Sequence, residues 1–291
     1  MKPAPFAYHR PQSVAEALGL LAELPDAKPL AGGQSLGPML NMRLARAENL
    51  VDLNDLAELD YVRERDGMIE IGALTRHHRL ATAPEVARAN PLLAAAAATI
   101  GHYAIRTRGT LGGSLAHADP AAQLPLLAVT LDAEIDILSA GGSRTVPAAA
   151  FFEGIMTVDL ADGEIVGAAR FPVLGRAGWG FELFSRRRGD FAIVAVAATI
   201  DVAEDATVAA FRLGIAGVDG VPIRLVDIEA GAVGARVDEG WAHSIARAAA
   251  HAVDPGEDGR IPAEYRRELV ESLTARALAS AIGAGETRAA A

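Results

Sequence analysis

Apolar residues at Val14, Ala17, Leu18, Leu21 and Leu24 recur at the three- and four-residue spacing of one helical face. Ser13 ahead of them and Glu16 three residues later form a capping-box pattern, and Pro25 stops the run, so a first helix is predicted between these limits. Residues 28–31 then run into Gly32-Gly33, after which Ser35 can cap a short helix through Leu44, giving strand, glycine turn and helix. Residues 49–53 and 68–73 read as strands, Ile69 and Ile71 alternating with polar or small neighbours. The Ala-rich stretch 91–100 is helical by propensity, with Pro91 in its first turn, and leads into a second glycine-rich segment at residues 106–114. Alternation over 133–147 around Gly141-Gly142 signals a hairpin. Pro and Gly crowd 171–180, where a domain boundary is placed. Beyond it, 191–202 and 208–214 form a long hairpin, and 263–282 an amphipathic helix with Tyr265, Leu269, Leu273 and Leu278 on or near one side.

Composition narrows the classes. The chain has 291 residues, 51% hydrophobic and 22% charged, which suits one large domain and a smaller one. A formal charge of -10, with arginines scattered except at Arg186-Arg187-Arg188, disfavours nucleic acid as a partner. No uninterrupted apolar run is long enough to cross a bilayer, so a cytoplasmic protein without membrane insertion is expected. Cysteine is absent altogether, which removes thiolate nucleophiles and thiolate-ligated metal centres. Any electron transfer must then run through a bound organic cofactor.

Two separated segments, Ala31-Gly32-Gly33-Gln34-Ser35 and Thr110-Leu111-Gly112-Gly113-Ser114, share a small or apolar residue, two glycines and a following polar stretch. Each can present consecutive backbone N–H groups, because glycine permits the backbone angles and close approach that an anion nest needs, and two nests could grip two phosphates. Seen alone, either pair of glycines is an ordinary turn. Neither offers the G-x-G-x-x-G spacing of a dinucleotide-binding Rossmann unit, and no P-loop is present. His77-His78 and His117-Ala118-Asp119 have ligand-like types without a convergent third partner, so no metal is expected; Asp119 before Pro120 reads as a turn or helix cap. His9, His102, His243 and His251 read as structural or exposed, and Arg186–Arg188 as a solvated run or a charged surface for a partner or a reduced, anionic cofactor.

The order AGGQSLGPMLNMRLARAENLVDLNDL, IEIGALTRHHRL, IRTRGTLGGSLAHADPAAQLP, FSRRRGDFA and AEYRRELVESLTARAL resembles the FAD-binding medium subunits of molybdenum hydroxylases. Carbon monoxide dehydrogenase and xanthine dehydrogenase provide the type members. The resemblance implies an α+β fold: a vanillyl-alcohol-oxidase-type (PCMH-type) FAD-binding domain of two subdomains over 1–174, a smaller α+β C-terminal flavoprotein domain over 175–285, and a tail over 286–291. It places the family's pyrophosphate motifs on Ala31, Gly32, Gly33, Gln34 and Ser35 and on Thr110, Leu111, Gly112, Gly113 and Ser114. Asp119 and Gln123 fall in the segment following the second motif, and Gly189-Asp190-Phe191 falls beside the flavin ring, with Phe191 keeping a stacking surface but not the hydroxyl of Tyr-bearing members. Gln34, Ser114 and Gln123 stand where relatives often carry His, Asn and an acidic residue.

The implied role is that of an electron-transfer subunit holding FAD. A small subunit would carry [2Fe–2S] clusters and a large one the molybdopterin cofactor, in a dimer of heterotrimers; no catalytic residue is assigned to this chain. Two rivals remain at the level of sequence: a free-standing flavin oxidoreductase, and a scaffold that has kept the fold and lost the flavin.

Overall fold

The computed structural model describes residues 1–257 and 259–289. Near the N-terminus, strands β1 (Ala7–His9), β2 (Ala27–Leu30) and β3 (Asn49–Asp52) form a parallel three-stranded sheet in the order β1-β3-β2. The helix Val14–Glu23 covers it, burying Ala17, Leu18 and Leu21 against Val51 and Leu53. Ser13 accepts a hydrogen bond from the Glu16 N–H at 3.1 Å, and the Glu16 carboxylate reaches back to the Gln12 N–H at 2.7 Å, so the capping box closes one residue early.

A second sheet follows: β4 (Val62–Arg65), β5 (Met68–Gly72), β6 (Glu134–Ser139), β7 (Gly142–Pro147) and, joining them later, β10 (Ile165–Pro172). Its order is β4-β5-β10-β6-β7, all antiparallel, and β6-β7 is the hairpin expected around Gly141-Gly142. A small ribbon, β8 (Phe152–Gly154) with β9 (Thr157–Val158), leads into β10. The helix Leu111–His117 packs on this sheet with Pro91–Ala98 and Gln123–Thr130 beside it, and Leu92, Leu93, Leu111, Leu115, Leu124 and Phe171 belong to one shared core.

The chain changes sheet between Pro172 and Gly178. Strands β11 (Gly178–Phe184), β12 (Val194–Val202), β13 (Val208–Ala216) and β14 (Ile223–Arg224) form an antiparallel sheet in sequence order. The helices Trp241–Ala252 and Ala263–Ala289 cover one face, with Leu269, Leu273 and Leu278 buried as their spacing requires. Tyr265 lies at the edge, its ring perpendicular to Phe184. The expected tail enters this last helix up to Ala289; Ala290 and Ala291 lie outside the described residues. Among the described residues no helix is long and apolar enough to cross a membrane.

Two sequence expectations are corrected. The helix after Ser35 spans Leu36–Asn41 and stops short of Leu44, since Arg43 takes the left-handed conformation at φ 60°; the Ser35 side chain makes no capping bond. The second pair of glycines is no turn: Gly112 and Gly113 occupy the first turn of the helix Leu111–His117, capped by the Thr110 hydroxyl, which accepts from the Gly113 N–H at 3.1 Å.

Candidate functional site

A largely apolar cleft of about 680 Å³ runs between the first two sheets, its walls drawn from residues within 28–36, 73–74, 100–105, 109–123, 160–166 and 189–191 and from His77. Both glycine motifs reach it, as do Asp119, Gln123, Asp190 and Phe191. A second hollow of about 540 Å³ shares Ala31 and Gly32 with the cleft and is bounded also by Asp52, Asn54, Arg76, Thr107 and Arg108. The first motif thus borders both hollows through Ala31 and Gly32.

Its glycines have distinct reasons to be glycine. A Cβ on Gly32 would stand 2.2 Å from the Arg108 carbonyl oxygen, so only glycine lets the two motif-bearing segments meet. Gly33 has φ +66°. Among the described residues, the N–H groups of Gly32, Gly33, Gln34 and Ser35 have no protein acceptor, and the Ser35 hydroxyl is also unengaged. Gln34 folds its own amide back onto the Gly32 carbonyl at 2.9 Å, which closes the loop and leaves its side-chain oxygen available. Four unpaired backbone donors in a row suit an anion with several oxygens.

The second motif works differently, and the expectation of two equivalent nests is corrected. The Leu111 and Gly112 N–H groups donate to the Thr75 and Ala73 carbonyls at 3.0 and 2.8 Å, and the Gly113 and Ser114 N–H groups are held by Thr110. Gly112 is packed so tightly that a Cβ would come within 2.5 Å of the Ala73 Cβ. A Cβ on Gly113 would instead meet the Thr110 hydroxyl at 2.8 Å and Ala31 at 3.9 Å, across from the first motif. The motif therefore offers a flat, side-chain-free face and the Ser114 hydroxyl, which bonds to no protein group among the described residues.

His77 fastens this arrangement. Its backbone N–H donates to the Gly109 carbonyl at 2.9 Å, and its Nε2 lies 2.8 Å from the Thr110 carbonyl, which can only accept, so Nε2 carries the proton. Nδ1 is buried without a partner. Burial, only partly offset by the Thr110 carbonyl, pushes the imidazole pKa down to about 4. The unfolded chain protonates nearer 6.5, so it binds the proton first and stability falls as pH drops from 6.5 towards 4, by about 3 kcal/mol at most. Urea unfolding at pH 7 and pH 4.5 is expected to show this loss, and the His77→Gln variant to show less of it.

At the other end of the cleft, Gly189 takes φ +91° with the His102 ring packed against it; a Cβ there would lie 2.6 Å from the ring. His102, expected to be structural or exposed, is exposed and also lines the cleft. Phe191 is 61% exposed, and Asp190 beside it is exposed as well. Arg186, Arg187 and Arg188 lie exposed on the same loop and pair with no carboxylate among the described residues. Asp119 accepts from the Ala121 N–H at 2.9 Å, in keeping with a turn. Gln123 is buried and donates to the Thr99 hydroxyl at 3.3 Å. Beside Asp119 and Asp190, the cleft is lined by a third carboxylate, Glu164, which sequence reasoning missed. It is held by Arg144 at 2.7 Å and by the Ala161 N–H at 2.9 Å, and Arg144 keeps its carboxyl below the ordinary range.

An elongated, partly apolar cleft with one run of free N–H groups and clustered hydroxyls defines a protein that holds a phosphate-bearing organic cofactor; these residues fit FAD. The family profile described as the FAD binding domain in molybdopterin dehydrogenase matches residues 4–174, and that of the CO dehydrogenase flavoprotein C-terminal domain matches 179–281. The glyceraldehyde dehydrogenase medium chain of Sulfolobus acidocaldarius is 37% identical over 95% of this chain and 98% of its own length. The carbon monoxide dehydrogenase medium chain of Hydrogenophaga pseudoflava is 35% identical over 97% and 98%. The crystal structure of quinoline 2-oxidoreductase from Pseudomonas putida superposes with a TM-score of 0.93 and 36% identity, covering 98% of this chain and 100% of the matched one. The chain belongs to the family of FAD-binding medium subunits of molybdenum hydroxylases, and as such is an oxidoreductase subunit of a multi-subunit complex.

Proposed function

We propose that the cleft holds FAD, with its diphosphate on the free N–H groups of Gly32, Gly33, Gln34 and Ser35 and facing the flat surface at Gly113 and the Ser114 hydroxyl. The observation that carries this reading is the row of unpaired donors opposite a glycine whose missing side chain leaves room for the ligand. Ala31, Thr110, Leu111 and Gly112 set the two motifs, Asp119 and Gln123 shape the adjoining wall, and Asp190 and Phe191 lie at the ring end, where Phe191 offers an uncovered aromatic face. Residues 1–174 serve as the flavin domain and 175–285 as the C-terminal flavoprotein domain.

FAD when bound supplies the redox chemistry, linking [2Fe–2S] clusters of a small partner subunit to an external acceptor, while substrate is hydroxylated on a large molybdopterin subunit. This chain's residues bind and orient the cofactor, keep water from its buried part and present its exposed edge. With no cysteine the chain has no thiolate to ligate a cluster of its own, which agrees with clusters supplied in trans. A dimer of heterotrimers in the cytoplasm is the assembly this reading favours.

The purified chain is expected to carry, or take up on titration, one FAD, visible as flavin absorption and identified by mass after release. Substrate is expected to bleach that absorption only when both partner subunits are added. A chain that stays colourless with added FAD would return the scaffold reading; bleaching by substrate without partners would return the free-standing oxidoreductase.

A further inference from the structure

Two side chains outside the glycine motifs hold the first of them in place. Asn54 donates through Nδ2 to the Ala31 carbonyl at 2.8 Å and to Asp52, and its Oδ1 accepts from the Arg76 guanidinium at 2.7 Å. Through its other terminal nitrogen, Arg76 donates to the Arg108 carbonyl, the same oxygen that abuts Gly32. A two-side-chain bridge thus runs from the backbone of the first motif to the backbone just before the second. Asp52 anchors it further: burial opposes its ionisation, yet hydrogen bonds from Tyr8 and Asn54 hold its carboxyl below the ordinary range.

The bridge borders the smaller hollow and does not line the cleft assigned to the ligand. Ala31 and Gly32 line both hollows, whereas Asn54 and Arg76 line only the second one. A trans peptide unit directs its C=O and N–H in opposite directions, and no cis bond occurs among the described residues. Tying the Ala31 carbonyl to Asn54 therefore turns the Gly32 N–H away from Asn54, towards the large cleft. Tying the Arg108 carbonyl to Arg76 fixes the separation of the two motifs, because that oxygen is the contact surface of Gly32.

We propose that Asn54 and Arg76 are positioning residues for cofactor binding: they act as a clamp that sets the first motif's donors and its spacing from the second, without touching the ligand. The inference rests on the FAD reading above. The clamp contributes through preorganisation, so its loss weakens binding without removing a contact to the cofactor. Arg is required in place of Lys because two acceptors must be reached at once from one planar group.

The test compares FAD affinity, by quenching of flavin fluorescence, for the full chain and for Asn54→Ala, Arg76→Met, Arg76→Lys and the double variant Asn54→Ala/Arg76→Met. Each single variant is expected to weaken FAD at least about tenfold, as loss of a hydrogen bond to a charged group would. The double variant is expected to be scarcely worse than either single one, since both break one bridge. Arg76→Lys should restore little. The thermal midpoint of the cofactor-free chain should stay close to that of the parent in at least one single variant, which separates positioning from general unfolding. Single variants that bind FAD within about twofold of the parent, or losses that simply add, would overturn the clamp while leaving FAD binding by the parent chain intact. A parent chain that takes up no FAD would overturn both readings together.

Discussion

The Gly113→Val variant is expected to lose FAD while keeping its fold. The new side chain would project from the first turn of the helix Leu111–His117 into the gap facing Ala31, where the proposed diphosphate lies. The Thr110 hydroxyl, 2.8 Å from the added Cβ, must turn aside, which costs about 1 kcal/mol of helix cap. Displacing a ligand held at van der Waals distance costs more, about 3 kcal/mol, or roughly a hundredfold in affinity. Titration with FAD, read alongside the thermal midpoint, separates the two costs. Affinity within about threefold of the parent would remove the second motif from the site. Gly33→Val is a poorer probe, because φ +66° strains any L-residue whether or not a phosphate is near.

A second large effect is expected far from the cleft. A Cβ on Gly180 in β11 would stand 1.9 Å from the Ala277 carbonyl oxygen in the last helix. That obstacle is backbone, so the helix itself must move off the sheet, and Leu273, Ala277 and Leu278 would lose their packing. Gly180→Val is expected to cost about 3 kcal/mol or more, lowering the thermal midpoint by roughly 6–12 °C for a chain of this size. Gly19→Ala supplies the opposite sign: it lies in the helix Val14–Glu23 with nothing within 4 Å, so about 0.5–1 kcal/mol of stability is gained. A Gly180→Val midpoint within about 2 °C of the parent would mean that the helix rests less closely on the sheet than described.

These glycines illustrate what the sequence discloses. The first helix, the hairpin at Gly141-Gly142 and the buried stripe of the last helix were legible because capping, turn chemistry and periodicity are local. The glycine loop at Gly32-Gly33 was legible for the same reason. Gly112-Gly113 was not: locally the pair signals a turn, and it becomes helical because residues 109–112 bond to residues 73–77, more than thirty positions earlier. Asn54 and Arg76 lie in segments that carry the resemblance, but nothing local singles them out, and their roles appear only when Ala31 and Arg108 are brought together. Likewise the place of His102 in the cleft depends on Gly189, far along the chain. Gln123, read against an expected acidic residue, is buried on Thr99, while a carboxylate not foreseen in the cleft comes from Glu164 on another segment.

The seam between the two halves of the chain sets limits on how such proteins can be recombined. Thr130, at the end of a helix from the first half, fits a notch in β13 that exists only because residue 214 is glycine; a Cβ there would lie 1.8 Å from the threonine oxygen. Close by, the Gly217 N–H donates to the Pro120 carbonyl at 3.1 Å, and the core continues from Leu124 and Leu126 to Ala195, Ala197 and Ala216. A chimera that joins the first half of this chain to the second half of a relative must therefore preserve the Thr130–Gly214 pair as a unit. Where it does not, the mismatch falls on the segment that carries Asp119 and Gln123, so a graft made to change one half would be felt at the proposed cofactor cleft of the other.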